Sequence, residues 1–455
     1  MYSGEGFNGL AKLLPLQFTI QYTGNQSNSY MANKLIIKKF GPINDLELEI
    51  KPFTILIGPQ ASGKSTVAKI LAMCQDDLLI PTFNFINPYT TKYSILEKYN
   101  LQNFIKKDTY IEYINDSYSV KFIGNAEPEL FLSESMQEYI YELARNNNID
   151  SIVSRFLLED GTEKSNNHSF EEVKNYVRRK KDEFDRDRDR FSPGLSTHSA
   201  FKNYQQIIES IVIDPKAVYI PTERILISSL SNALWSIIQG NIGLSQSITI
   251  FGSIYEKARN EIKNIGIDIL GIRYSYENNK EVIIKGKKKL NLNESASGYQ
   301  STVPLFIVME HLKKFTNTGF IIEEPELNLF PKAQKLLVQY LAKTHNSGIN
   351  KKKEIFITTH SPYILSVINN LLYANKINKS NNNNIYDKLN KIIDSSCWID
   401  NANLGAYYLE SGKCTSIMDK ELGLISENEL DSVSEDIAHE RDKLIAYYIK
   451  YKSGK

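Results

Sequence analysis

The sequence predicts an α/β fold, a mixed sheet with flanking helices that is split along the chain by a mainly helical insertion. Three observations predict it. Gly58-Pro59-Gln60-Ala61-Ser62-Gly63-Lys64-Ser65 joins a short apolar, β-prone run (53 to 57) to a helical stretch (65 to 73). In a loop of this pattern backbone N–H groups wrap phosphate while the lysine reaches the terminal oxygens. Phe320-Ile321-Ile322 is a buried-strand run that ends in two adjacent carboxylates, Glu323 and Glu324. Residues 354 to 359 form another β-prone run, which stops at His360 before Ser361-Pro362 opens a helix. Strands that deliver polar residues at their C-terminal ends are where open α/β sheets bind ligands.

The elements follow in order. At 455 residues and 42% hydrophobic, the chain is long enough for a large core in two or three packed units. Residues 1–30 lack the basic start and apolar core of a secretory leader and read as a flexible extension. Residues 31–84 form a first lobe, with strands at 34 to 40, 46 to 50 and 53 to 57 before the glycine loop and its helix. Residues 85–215 are an insertion, partly helical. Within it, 110 to 122 alternates as two short strands about an Asn-Asp turn, whereas 134 to 157 and 170 to 190 are charged and helix-like. The run Asp185-Arg186-Asp187-Arg188-Asp189-Arg190 holds an Asp-x-Asp, but interleaved arginines neutralise it, and it reads as a solvated helix end rather than a metal pair. Residues 216–375 form a second lobe. Residues 376–455 hold a hairpin (406 to 418) turning at Ser411-Gly412, then a helix starting near a capping box at Ser432 to Glu435.

Bulk composition is permissive. No apolar run approaches the roughly 18 residues a membrane helix requires. Three widely spaced cysteines (Cys74, Cys397, Cys414) fit reduced thiols in a cytoplasmic protein. The net charge of +1 gives no global pull toward nucleic acid. Basic runs at 178 to 181, 285 to 289 and 351 to 353 read as solvated faces or hairpin tips, with Lys285 to Lys289 the best candidate for phosphate contact.

The chemistry sits in the two lobes. Gly58, Pro59, Gln60, Ala61, Ser62, Gly63, Lys64, Ser65 and Thr66 are the candidate phosphate-binding residues. Two acids side by side at a strand end are costly unless a cation sits there. Magnesium (Mg2+) on nucleotide phosphates supplies one, with Ser65 as a direct ligand and Glu323 holding the metal or its water. Glu324 is then placed to orient or deprotonate an attacking water. A lone histidine at a strand end is more often structural, but His360 follows the acid pair in order and is placed to hydrogen-bond a terminal phosphate or that water. Ser297-Gly298-Tyr299-Gln300 precedes a helix and is either an anion-binding end or an ordinary cap, with Pro304 limiting or kinking the first turns.

These four segments in this order resemble the ABC-type ATPases of the branch containing the SMC proteins, the double-strand-break repair ATPases and the OLD (overcoming lysogenization defect) family. The resemblance implies an ABC-type P-loop ATPase core. It makes 58 to 65 the Walker A loop, 296 to 300 the counterpart of the LSGGQ signature, 320 to 324 Walker B, 326 to 331 the D-loop region and His360 the switch histidine. It implies Mg2+-dependent ATP hydrolysis, with Glu324 and His360 catalytic and with Ser297, Gly298 and Gln300 acting in trans across a homodimer or higher homo-oligomer. It covers 34 to 80 and 216 to 370, including Tyr219-Ile220-Pro221-Thr222-Glu223-Arg224, and leaves 85 to 215 uncovered. Glu323 stands where the wider class has aspartate, and no glutamine is secured as the Q-loop residue, with Gln102 a candidate.

Attached parts divide the family. SMC-like members carry a long coiled coil, and nothing here sustains about four heptads. Full OLD nucleases carry a TOPRIM domain whose metal site needs an Asp-x-Asp, and the 95 residues after His360 contain none. Transporter ATPases usually keep LSGGQ and a Walker B aspartate. What remains resembles the stand-alone ATPase of bacterial anti-phage systems such as Septu or PARIS. That implies a cytoplasmic regulator of a separately encoded effector, with nucleic acid as a candidate ligand and no membrane partner. The alternatives are a DNA repair or maintenance ATPase and an ATP-gated scaffold that holds a toxin with little turnover.

Overall fold

The computed structural model describes residues 33–76, 92–126, 128–132, 216–230, 244–315, 318–348, 352–380, 385–426 and 429–452. The expected extension 1–30, the helix-like stretches between 134 and 190, the mixed-charge run at 185–190 and the basic run at 178–181 lie outside the described residues.

Strand β1 (Lys34–Phe40) turns at Gly41, φ 54°, into antiparallel β2 (Ile43–Glu49), and β3 (Phe53–Ile57) leads through the glycine loop into α1 (Lys64–Cys74). The insertion contributes α2 (Lys92–Lys98), β4 (Tyr110–Ile114), β5 (Tyr118–Ile123) and β6 (Glu129–Leu132). As expected, the β4–β5 turn is built by Asn115, whose side-chain oxygen accepts from the N–H groups of Ser117 and Tyr118. The second lobe runs β7 (Lys216–Ile220), α3 (Ile225–Leu230), α4 (Gln246–Glu261), β8 (Asn264–Ile267), β9 (Ile272–Glu277), β10 (Lys280–Lys285), β11 (Lys288–Asn291), α5 (Ser297–Leu312), β12 (Thr318–Glu323), α6 (Pro331–Asn346), β13 (Ile355–Thr359) and α7 (Pro362–Ser380). Then come α8 (Tyr386–Ile392), β14 (Leu404–Glu410), β15 (Lys413–Ser416) and α9 (Glu429–Lys452).

Eleven strands form one mixed sheet in the order β6-β5-β4-β1-β2-β15-β14-β3-β13-β12-β7. From β14 to β7 neighbours run parallel, and from β2 to β6 they run antiparallel. The parallel part is covered on both faces, which is why its strands read as unbroken apolar runs. Ile55, Phe320, Ile322 and Ile357 pack with residues of α4 to α7, whereas Leu56, Ile321 and Phe356 pack with Val67, Ile70 and Leu71 of α1. Alternate residues of the same strands thus serve two cores.

Three expectations are corrected. The hairpin assigned to a C-terminal unit hydrogen-bonds into the main sheet, with β14 parallel to β3 and β15 beside β2. The last helix starts at Glu429, ahead of the Ser432–Glu435 box. Lys353, read as part of a solvated run, is buried and donates to the Phe315 carbonyl at 2.6 Å. Lys285 to Lys289 does form a hairpin tip, turning at Gly286 between β10 and β11 of a separate four-stranded sheet.

Candidate functional site

The glycine loop is shaped by backbone demands that only part of it meets with glycine. Gly58 sits at φ 152°, Ala61 at 61° and Gly63 at 103°. A Cβ at Gly58 would lie 2.1 Å from the Leu409 carbonyl oxygen, so β14 fixes the need for glycine there. Gly63 is the N-cap of α1 and offers no side-chain cap, which leaves N–H groups of the first turn available to an anion. Pro59, Gln60, Ala61 and Ser65 are exposed around this end, while Thr66 turns into the protein. Lys64 is buried at 5% exposure and folds back on the loop, its Nζ donating to the carbonyls of Gly58 at 2.9 Å and Pro59 at 2.7 Å and to Ser62 Oγ at 3.4 Å. Burial lowers its pKa from 10.5 to about 8, against the opposing pull of Glu324, Glu323 and Glu326.

The two acids differ in setting. Glu323 ends β12 at 2% exposure and accepts from the Tyr219 hydroxyl at 2.6 Å. Burial pushes its pKa up, opposed by Tyr219, by the Lys69 charge and by the Ser65 hydroxyl. Glu324 stands just past the strand at φ 40°, with its N–H donating to the Thr358 carbonyl, and its Oε1 lies 3.6 Å from His360 Nε2. His360 is held below its ordinary 6.5 by burial and by the Lys64 charge, against the carboxylate of Glu324 and a hydrogen bond to the Gly58 backbone. A third acid, Glu326, holds this end of β13 in place. Its Oε1 accepts from Thr359 Oγ1 at 2.6 Å and from the His360 N–H at 3.1 Å, and burial pushes its pKa up.

The start of α5 is tied to the acid turn. A Cβ on Gly298 would lie 2.7 Å from the Asn328 carbonyl oxygen, and Ser301 Oγ donates to the Leu327 carbonyl at 2.9 Å. Ala296, the N-cap, makes no side-chain cap, and Ala296 and Ser297 are exposed. Gln300 donates to the carbonyls of Asn293 at 3.1 Å and Ser295 at 2.7 Å, bracing the preceding turn of its own chain. Pro304 lies inside a helix that continues past it. Lacking an N–H, it frees the Gln300 carbonyl, which accepts from Ser228 Oγ at 3.0 Å. Lys285 at the basic tip donates to the Tyr299 hydroxyl at 3.1 Å. Gln102 stands in the turn Gln102–Phe104, where Phe104 packs edge-on against Phe40.

Sequence reasoning missed Arg224, Tyr219 and Glu326 as working parts. Arg224 is fully buried and donates to four carbonyls: Ser301 at 3.1 Å, Pro221 at 2.9 Å, Glu323 at 2.7 Å and Glu324 at 2.6 Å. The available signal was position, since Tyr219 and Arg224 flank the exit of a strand, but their partners belong to distant elements.

The arrangement joins an uncapped helix end, a buried cation, a buried acid that accepts from Tyr219, and a second acid facing an imidazole. Such a site suits a polyphosphate and a water held beside it. Ser65 and Glu323 offer hard oxygen donors near enough to influence each other, which fits a magnesium ion.

No curated protein matches the chain. Among solved structures it is similar to an SMC head bound to the C-winged helix domain of ScpA, at 10% identity over 86% of this chain and 99% of that one, with a TM-score of 0.38. It is also similar to the SMC head domain from Thermotoga maritima, at 12% identity over 85% and 98%, TM-score 0.34. A third is the Smc head domain with an extended coiled coil bound to the C-terminal domain of ScpA derived from Pyrococcus furiosus, at 10% over 90% and 99%, TM-score 0.33. The glycine loop, the acid turn and His360 all fall within residues 31–365, which match a family model described as AAA ATPase domain, and the chain therefore belongs to the AAA ATPase domain family.

Proposed function

We propose that this ATPase closes as a pair of copies around ATP, hydrolyses it with Mg2+, and by that cycle switches a separately encoded effector in cytoplasmic anti-phage defence. The observation that carries the catalytic part is the approach of Glu324 to His360 at 3.6 Å, beside the loop that holds Lys64. Lys64 exchanges the Gly58 and Pro59 carbonyls for phosphate oxygens when nucleotide arrives, regaining a counter-charge for an ammonium that burial disfavours. Ser65 and Glu323 are the residues that would hold magnesium, which when bound offsets phosphate charge. Glu324 orients the attacking water and accepts its proton. His360, held neutral near pH 7 by its depressed pKa, hydrogen-bonds the terminal phosphate.

The signature segment supplies the partner's half. Ser297 and the uncapped N-terminus of α5 are exposed, so they are free to close over nucleotide bound to another copy. The effector role rests on the resemblance to stand-alone defence ATPases. The test of the sandwich uses two inactive chains, Ser297→Arg and Lys64→Ala, co-expressed with different tags and purified through both. Mixed dimers contain one intact site if the motifs act in trans, and they regain hydrolysis. Mixed dimers that stay inactive while each chain folds would refute the arrangement.

A further inference from the structure

Helix α9 (Glu429–Lys452) is the longest described helix, about 36 Å at 1.5 Å per residue, and it carries apolar residues outward. Ile437, Leu444, Tyr448 and Tyr451 are 61%, 69%, 62% and 88% exposed. Steps of seven, four and three residues place these four on one stripe, with Tyr447 at its border. Every side chain from His439 to Ile449 is exposed. Helices in proteins draw most of their stability from packing such a face, so a stripe of this length calls for a partner.

The charge pattern indicates which partner. The half from Glu429 to Glu440 holds five carboxylates and no lysine or arginine, whereas Arg441 to Lys452 holds four basic residues and one aspartate. Helix-dipole preference explains only the outermost turns of such a pattern. Glu440, Arg441 and Lys443 lie near the middle. A parallel pair would set like halves together. An antiparallel pair sets each acidic half along a basic one and brings Glu440 of one copy to Arg441 of the other at the midpoint. We propose that α9 pairs antiparallel with α9 of a second copy, in a contact that requires no nucleotide. Exposed ion pairs add little affinity, so the apolar stripe supplies the binding and the charges select the orientation.

This contact is independent of the ATP sandwich, and the experiment separates the two. Protein stripped of nucleotide with EDTA is followed by sedimentation velocity across micromolar concentrations. Wild type is expected to be dimeric. The double variant Ile437→Asp/Leu444→Asp is expected to dissociate at least about tenfold more readily while binding ATP as wild type does. Ser297→Arg is expected to keep the nucleotide-free dimer, because it affects only the sandwich. Orientation is read by cysteine cross-linking against the wild-type background. Glu440→Cys links to itself across two copies, whereas Tyr451→Cys does not, since antiparallel pairing holds its two copies about 30 Å apart. A monomeric wild type, a dimer indifferent to the double variant, or equal self-linking at Tyr451→Cys would overturn the proposal. So would a nucleotide-free monomer whose α9 stripe is instead taken up by anionic vesicles.

Discussion

Arg224→Lys tests whether the buried guanidinium sets the acid turn. The wild-type side chain forks to four carbonyls drawn from the exit of β7, the end of β12 and α5. Lysine keeps the charge but reaches fewer of them, because one ammonium cannot span both Ser301 and Glu324. Losing two charge-assisted hydrogen bonds at about 1.5–3 kcal/mol each gives a destabilisation of about 3–6 kcal/mol. That is a large fraction of the roughly 5–15 kcal/mol typical of a folded domain, so the variant is expected to fold with a clearly lower melting temperature. The functional effect follows from the same bonds. Freed of Arg224, the Glu324 carbonyl no longer holds φ at 40°, and the carboxylate drifts from His360. Turnover should fall about a hundredfold, the scale of an ångström's misplacement of a reacting group, while the affinity for ATP stays within a few-fold. Denaturation curves, fluorescent-nucleotide binding and steady-state hydrolysis measure the three quantities. Wild-type turnover in Arg224→Lys would refute the reasoning.

The remaining expectations concern single groups. Glu324→Gln should bind ATP without turning it over, whereas Lys64→Ala should lose affinity; phosphate release and nucleotide titration distinguish them. Lys64 also predicts a pH effect. Its folded pKa of about 8 lies below the ordinary 10.5, so the unfolded state binds the proton more tightly; the penalty is fully present below pH 8 and fades as pH rises toward 10.5. Stability of the nucleotide-free protein should rise across that window in wild type relative to Lys64→Met, as read by urea unfolding at several pH values. Gly298→Ala, whose Cβ would sit 2.7 Å from the Asn328 oxygen, should shift α5 and abolish hydrolysis with ATP binding retained. Purified chain should not cut DNA with Mg2+ or Mn2+, because the residues after His360 lack the Asp-x-Asp of a TOPRIM site; nicking that persists in Glu324→Gln would contradict this.

Central strands were legible because burial on both faces leaves an unbroken apolar run, and a glycine, an acid pair or a histidine marks where each run meets the site. Edges were less legible. β2 begins at Ile43 rather than near Leu46, because Asn44 and Asp45, polar in sequence, donate their N–H groups to the Gly412 carbonyl of a hairpin far along the chain. The insertion of β14 beside β3 has the same origin. Tyr407 faces Leu56 across a pairing that no local pattern encodes. Pro304, expected to limit or kink the first turns of α5, does not end the helix, since Ser228 takes the carbonyl that proline leaves open. Arg224 was invisible as a clamp for a similar reason, its four acceptors coming from elements up to a hundred residues away.

The acid turn is the point where these contacts meet. Through Arg224 the carbonyls of Glu323 and Glu324 share a donor with Ser301 of α5, and through Ser301 Oγ and the close approach of Gly298 the same helix touches Leu327 and Asn328. Through Glu326 the turn also grips Thr359 and the backbone of His360. Among the described residues, hydrogen bonds run from the start of α5 to the turn that carries the carboxylate facing the histidine. In the sandwich proposed above, α5 of one copy lies against nucleotide held by the other, so the pull of that nucleotide is expected to reach Glu324 of the first copy through these hydrogen bonds rather than through the interface at large. A substitution such as Gly298→Ala therefore acts on two sites at once: it withdraws a helix end from the partner's phosphate and displaces the acid that serves its own. This is the physical reason to expect hydrolysis to fail in it while the Lys64 loop, whose lysine is held by Gly58, Pro59 and Ser62, still binds ATP.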